Sequence, residues 1–318
     1  MPKVSVVIPV YNVEQHIERC LHSLFCQTLE DIEYLFVNDC TPDASVSKIM
    51  EVMESYPSRK RQIRILKHDT NRGVAAARIT GIMAATGDYI IHCDPDDYIE
   101  CNMYELLYDK AIKTDADIVA CYYWQETGEE KLIVKRPYYT IPQKCLKYMY
   151  KEKHDCGFLW DKLIRRSLIV EHHIVPFEGI DYSEDLNCIV RALFYARSLA
   201  VVKKPLYHYC RYNYPVSMSQ LKVLGRMHIQ SIEQICCFLK EVGANEFSVY
   251  CNYLKFYVKM KYKDLLDLDE RDWFYFYRES HADVLHYTED SLKSRFILWL
   301  ALKNYKSYQF MKKHIKGL

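Results

Sequence analysis

The chain has no run of 18 or more apolar residues, so no segment reaches the length of a transmembrane helix. It has no CxxC pair. Its thirteen cysteines are scattered without regular spacing, which argues against a zinc site or a disulfide framework. Several of them, Cys93, Cys188 and Cys236 among them, fall in apolar patterns and read as buried reduced thiols of a cytoplasmic protein. Charge of one sign is also missing: the net charge is +1 over 318 residues, which argues against a general nucleic-acid binder. The opening MPKVSVVIPVYN passes from one lysine straight into a strand pattern with no small-residue cleavage site, so no secretory signal is expected. Neither GxGxxG nor GxxxxGK[ST] occurs; the first strand-to-helix turn reads PVYNVEQH. The missing glycine-rich phosphate cradle weighs against a Rossmann dehydrogenase and a P-loop enzyme. There is no internal repeat and no low-complexity linker.

What is present is a large apolar fraction, 50%, with 14% aromatics that are mostly its 28 tyrosines. The first hundred residues alternate strand and helix patterns. Strands are expected at KVSVVIPVY (3–11), IEYLFVND (32–39), IRILKH (63–68) and GDYIIHC (87–93). Helices are expected near 14–27, from about 45 to 56 with Ser45 as a cap, and after the NRG turn. Such alternation implies βαβ units and a mostly parallel α/β sheet. A further helix (103–113), a strand at 117–124 and a hairpin partner follow. Beyond about residue 220 the pattern is helical. Two domains are therefore expected, an α/β domain over 1–218 and a helical C-terminal extension over 219–318.

In an open parallel sheet, ligands sit outside the carboxyl ends of the strands. All four expected ends are polar: Pro9-Val10-Tyr11-Asn12, Asn38-Asp39, Asn71-Arg72-Gly73 and Asp94-Pro95-Asp96-Asp97. The last places three carboxylates within four positions. Like charges that close raise one another's pKa unless a positive group lies among them. Aspartate oxygens suit Mg²⁺ or Mn²⁺, which bind through one or two carboxylates and substrate phosphates. A DxD at a buried strand's end, sharing its edge with three other polar turns, therefore reads as a divalent-metal site rather than a set of local caps.

Six motifs, VSVVIPVYN, FVNDCTPDAS, NRGVAAARITG, GDYIIHCDPDDYIE, FLWDKLIRRSL and YSEDL, stand in an order and spacing that resemble a family 2 glycosyltransferase of the GT-A fold, of the bacterial surface-polysaccharide type. The resemblance covers about residues 3–215. It implies a Rossmann-like nucleotide-sugar-binding domain. The activity it implies is inverting transfer of a sugar from a nucleotide-diphosphate donor, expected to be a UDP-sugar, to a glycan or lipid-linked hydroxyl. Carried over by position, Pro9, Tyr11 and Asn12 line the nucleoside pocket and Asp39 accepts a hydrogen bond from the base. Asn71, Arg72 and Arg78 lie beside the nucleotide, Asp94 contacts the ribose or a metal-bound water, and Asp96 holds the metal. Asp185 is the catalytic base with Glu184 beside it. Trp160 and Lys162 shape the acceptor side. Asn38, Cys40-Thr41-Pro42 and Ile79 depart from the usual pattern around these positions.

His68, His92 and His208 read as structural histidines, with His208 the one that would approach the diphosphate. Arg211 and Ser217 are expected in a loop closing over the donor. Residues 291–318 carry seven Lys or Arg and no acid, interleaved with Phe, Trp, Leu and Tyr. They read as a basic amphipathic element for peripheral contact with the cytoplasmic face of the inner membrane. Two rival readings are a nucleotidyltransferase, which would need a glycine-rich basic loop in place of PVYNVEQH, and a non-catalytic nucleotide- or glycan-binding module, which would be expected to lack Asp96 or Asp185.

Overall fold

The structure is a computed structural model that describes all residues except 149–156, 213–216, 263–264, 288–291 and 315–318. Its strands are β1 (Val4–Val10), β2 (Ile32–Asn38), β3 (Ile63–Lys67), β4 (Tyr89–His92), β5 (Tyr98–Ile99), β6 (Ile118–Thr127), β7 (Glu130–Val134), β8 (Lys162–Arg165) and β9 (Leu199–Cys210). The first helices are α1 (Ile17–Phe25), α2 (Ser45–Glu54), α3 (Val74–Ala84), α4 (Met103–Thr114), α5 (Pro142–Tyr148), α6 (Arg166–Glu171) and α7 (Glu184–Tyr195). They continue as α8 (Met218–Glu241), α9 (Ser248–Lys261), α10 (Glu270–Tyr275), α11 (Val284–Tyr287), α12 (Leu292–Lys303) and α13 (Tyr305–His314).

One sheet runs in the order β3-β2-β1-β4-β8-β6-β9-β5, with β7 paired to β6. The β3, β2, β1 and β4 pairings are parallel, with Val4 opposite both Ile32 and Tyr89. Their carboxyl ends consequently share one edge. All seven residues of β1 are buried, as expected of a continuous apolar run covered on both sheet faces. The core takes Val6, Ile8 and Val10 from β1, Tyr34 and Phe36 from β2, and Leu21, Leu24 and Phe25 from α1. The distal half of the sheet is mixed: β8 runs antiparallel to β4 and β6, and β6 pairs in parallel with the long β9.

Ser45 is not the cap of α2. It is the first helical residue, and Asp43 accepts from its backbone N–H (3.1 Å) and its hydroxyl (2.6 Å). Asp43 also accepts from Glu14 N (2.9 Å), tying the β2–α2 turn to the β1–α1 turn. The cysteines are free of disulfides among the described residues. Cys93 and Cys188 are buried, Cys236 is half-buried, and Cys26, Cys40, Cys101 and Cys237 are exposed, so burial does not extend to every thiol.

The chain divides into two compact units, residues 1–145 with 156–214, and residues 146–155 with 215–318. In the second, Phe256, Trp273, Phe274, Val284, Ala301, Leu302 and Tyr308 form a separate aromatic core.

Candidate functional site

The shared strand edge forms a cleft of about 480 Å³. Pro9, Tyr11, Asp39, Asn71, Arg78, Asp94 and Asp96 all line it, as does Asp181. Two of its turns use left-handed backbone at non-glycine residues, Asn12 (φ 54°) and Cys40 (φ 56°), and Asn12 N donates to Thr41 Oγ1 (2.8 Å) across them. Asn12 itself does not line the cleft.

Asp39 is 2% exposed and braces the neighbouring turn. Its Oδ1 pairs with His68 Nδ1 (2.7 Å) and accepts from Arg72 N (2.9 Å), and its Oδ2 accepts from Gly73 N (2.8 Å). His68 Nε2 meets Thr80 Oγ1 (2.8 Å). Three of the four lone-pair positions of Asp39 are thus taken, leaving one at Oδ2. Gly73, with φ +88°, lies so close to Asp181 that an added Cβ would fall 2.1 Å from its carboxylate. Asp181 Oδ1 accepts from Ala75 N (2.9 Å) at the start of α3. The Arg72 guanidinium is half-exposed and pairs with Glu178 (2.6 Å), and Arg72 is not among the residues lining the cleft.

The positive group among the carboxylates is Arg78, on α3 and 3% exposed. It lies 2.9 Å from Asp94 Oδ1, 3.3 Å from Glu184 Oε1 and 3.4 Å from Asp185 Oδ1. It thereby joins the turn after β4 to the start of α7, two segments about ninety residues apart in sequence. Its Nη1 faces His92 Nδ1 (3.3 Å); burial and that guanidinium hold the imidazole well below its usual pKa. Asp185 accepts from Leu159 N through Oδ2 (3.1 Å), while its Oδ1 makes no hydrogen bond among the described residues. Burial raises the pKa of Asp185 against the pull of Arg78. Burial and the adjacent Asp185 carry Glu184 to about 8.

Asp97 faces away from the cleft. It is 1% exposed and accepts from Tyr207 Oη (2.7 Å) and Cys210 N (2.8 Å) on β9. The same Tyr207 hydroxyl accepts from Asp94 N (3.2 Å). The carbonyl of Asp96 is held by Tyr212 Oη (3.1 Å) and Arg19 Nη2 (3.4 Å). The backbone of the DPDD turn is therefore anchored by β9 and α1, which leaves the side chains of Asp94 and Asp96 at the cleft. Burial first, then the neighbouring Asp94, push Asp96 up to about 6. No group of three or more His, Cys, Asp or Glu forms a ready-made metal cage among the described residues. Two hard carboxylates on a rigid turn fit Mg²⁺ or Mn²⁺ taken up together with a diphosphate.

Three residues named from the sequence are buried outside the lining of the cleft. Trp160 is 1% exposed and stacks on Tyr207 (4.2 Å) and Phe158 (4.8 Å), so its ring is buried in the core. Lys162 is 0% exposed, with its ammonium donating to Phe158 O (2.7 Å) and paired with Asp161. Trp160 lies just ahead of β8 and Lys162 opens it, and both are enclosed by the packing around them. His208 is buried between Glu100 (3.1 Å) and Glu126 (2.8 Å) and stacked on Tyr98 (4.0 Å), away from the residues that line the cleft. Of the loop expected over the donor, residues 213–216 lie outside the described residues, and Ser217 caps α8 through a reciprocal bond with Gln220. Asp181, Tyr207, Arg19 and Tyr212 escaped the sequence reading. Only Asp181 carried a signal, an acid just ahead of YSEDL.

Comparison with known proteins places these features in context. The family model described as glycosyl transferase family 2 matches residues 5–171, just over half of the chain. The uncharacterized glycosyltransferase EpsJ of Bacillus subtilis (strain 168) is 35% identical over 217 residues, which are 66% of this chain and 61% of EpsJ; the chain thus covers under two thirds of that relative. Among solved structures, S. aureus TarS 1-349 in complex with UDP-GlcNAc superposes with a TM-score of 0.61 at 16% identity, covering 96% of this chain and 87% of that one. The mannosyltransferase PcManGT from Pyrobaculum calidifontis, in complex with GDP-Man and Mn²⁺, superposes with a TM-score of 0.55 at 16% identity, covering 98% and 84%. At these identities the structural likenesses establish the fold, GT-A.

Proposed function

Since the chain belongs to glycosyl transferase family 2, we propose that this glycosyltransferase moves a hexosyl or N-acetylhexosaminyl group from a UDP-sugar to a glycan or lipid-linked hydroxyl, with inversion at the anomeric carbon. The observation that carries this reading is the pairing of two carboxylate arms through Arg78 at the cleft. One arm presents Asp94 and Asp96 where a diphosphate would lie. The other carries Asp185, which is not itself among the residues lining the cleft and whose Oδ1 lies 3.4 Å from Arg78 Nε and makes no hydrogen bond among the described residues. The complexes of the two structural relatives, with UDP-GlcNAc and with GDP-Man, support a nucleotide-diphosphate sugar as donor, and the first of them a UDP-sugar.

The residue types suit the chemistry. An acceptor hydroxyl is a weak nucleophile, and Asp185 takes its proton as its oxygen attacks the anomeric carbon. The bond from that carbon to the diphosphate oxygen breaks with its electron pair passing to the leaving group, through an oxocarbenium-like transition state. A divalent cation held by Asp96, Mn²⁺ or Mg²⁺, would stabilise the charge gathering on the diphosphate. Asp39 keeps one lone pair for an N–H of the base, while His68, Arg72 N and Gly73 N hold its carboxylate in place. Arg78 keeps Asp185 and Asp94 in register, and Tyr207 and Cys210 N fix the turn that carries Asp96.

The test is a panel of nucleotide sugars with Mn²⁺, reading released nucleoside diphosphate, on the wild type, Asp96→Ala and Asp185→Ala. Turnover with one donor, lost in both variants, is the expected result. Absence of any donor binding by calorimetry would overturn the reading.

A further inference from the structure

Helix α12 is apolar on two sides. Ala301 and Leu302 are buried in the core of the C-terminal unit, with Leu298 packed against it. On another side Phe296 is 53% exposed and Leu300 is 40% exposed. Trp299, half-buried between the two sides, stacks on Phe296 (5.9 Å), and Lys303 Nζ lies 4.8 Å over its ring. Positions 296, 299, 300 and 303 follow the i, i+3, i+4, i+7 spacing of one helical stripe. On α13 the positions 306, 309, 310 and 313 repeat that spacing with Lys306, Gln309, Phe310 and Lys313, and Phe310 is 61% exposed. A helix apolar all round is ordinarily covered on every side. Here the outer stripe faces solvent.

Charge decides what covers it. Residues 291–318 hold seven Lys or Arg and no acid, whereas the whole chain carries only +1. A second copy would bring the same cationic segment against itself and be repelled. An anionic lipid surface meets both features: phenylalanine, tryptophan and leucine enter the headgroup boundary while lysines reach the phosphates. We infer that the outer face of α12 and α13, through Phe296, Trp299, Leu300 and Phe310 with Lys303, Lys306 and Lys313, is a docking surface for an anionic membrane. The attachment is peripheral, since no described helix is long and apolar enough to cross a bilayer.

The full chain is tested by co-sedimentation with vesicles of phosphatidylcholine alone and of phosphatidylcholine mixed with phosphatidylglycerol. Two variants change exposed side chains only: Phe296→Ser with Leu300→Ser, and Lys303→Gln with Lys306→Gln and Lys313→Gln. Circular-dichroism melting checks that each remains folded. The wild type should bind the mixed vesicles, bind neutral ones far less, and be released by salt. Neutralising three lysines should weaken binding on the order of 100-fold, about fivefold for each. Removing the two apolar side chains should weaken it about tenfold or more. Wild-type protein left in the supernatant with anionic vesicles overturns the inference, as does undiminished binding by both variants. Concentration-dependent dimerisation abolished by the serine pair, seen by light scattering, would assign the face to a second copy and overturn it equally.

Discussion

Arg78 Nε stands 3.4 Å from Asp185 Oδ1, inside a cluster where the same guanidinium also meets Asp94 and Glu184. This one cation ties the turn after β4 to the start of α7. Removing one member of a buried ionic cluster leaves its partners uncompensated, which costs about 3–5 kcal/mol. Arg78→Met should therefore lower the urea midpoint sharply as well as abolish turnover. Arg78→Lys keeps the charge but cannot span three carboxylates, and should fall between. A methionine variant melting within about 2 °C of wild type would remove the cluster from any role in holding the arms together.

Asp185 and Asp96 should fail in different ways. Asp185→Asn removes the proton acceptor and is expected to cut kcat by about 10²–10⁴ while UDP binding stays near wild type. Asp96→Asn should weaken Mn²⁺-dependent donor binding itself. Calorimetry with UDP, with and without Mn²⁺, separates them; equal loss of binding in both would contradict the division of roles.

Gly73 is required twice over. Its φ of +88° strains any other residue, and a Cβ there would collide with Asp181. Gly73→Ala should destabilise by about 1–3 kcal/mol and raise the donor KM by disturbing the turn that Asp39 holds. Gly179, also left-handed at φ +82° but with open space where its Cβ would be, is the control. Gly179→Ala should cost some stability and leave the donor KM nearly unchanged.

Trp160→Ala should behave as a core deletion, costing about 3–5 kcal/mol. Trp160→Phe, which keeps a ring against Tyr207, should retain the acceptor KM. A large acceptor KM change in the phenylalanine variant with no loss of Tm would return Trp160 to the acceptor wall.

Acid should weaken the C-terminal unit through His281. Its Nδ1 donates to Leu302 O (3.2 Å) and its Nε2 faces Lys259 Nζ (2.7 Å), so a second ring proton has nowhere to go. Burial first, then Lys259, hold it at about 4. The unfolded chain takes up that proton near pH 6.5 and the folded one only near 4. Stability should thus fall as pH drops from about 6.5 to 4, by up to about 1.4 kcal/mol per unit, and be unaffected by this group above that window. His281→Gln should flatten that slope in urea titrations at pH 5 to 7; an unchanged slope would exclude the histidine.

Local patterning carried much of the architecture. The apolar run of β1, the helical period of α1 and the polar turns after four successive strands each depend on near neighbours in the chain. Those turns converge because parallel pairing places strand ends on one edge, a rule of topology that needs no atomic detail. Family membership was equally legible, since six short motifs keep their order. The limits appear at Trp160, Lys162 and His208, polar or amphipathic residues beside site motifs. Spacing alone cannot say whether such a side chain faces a cleft or a core, and all three are buried by tertiary packing.

The sequence by itself determined that four acidic or amide-bearing turns meet at one sheet edge, because hydrophobic periodicity and chain order dictate which segments become strands. Only the tertiary structure decided which charge neutralises which. Arg78 reaches Asp94 sixteen residues away and Asp185 over a hundred away, and Asp97 turns from the cleft to Tyr207, 110 residues on. Burial drives both choices: a charge taken out of water must find its partner in space, and that partner depends on how the whole chain folds back on itself.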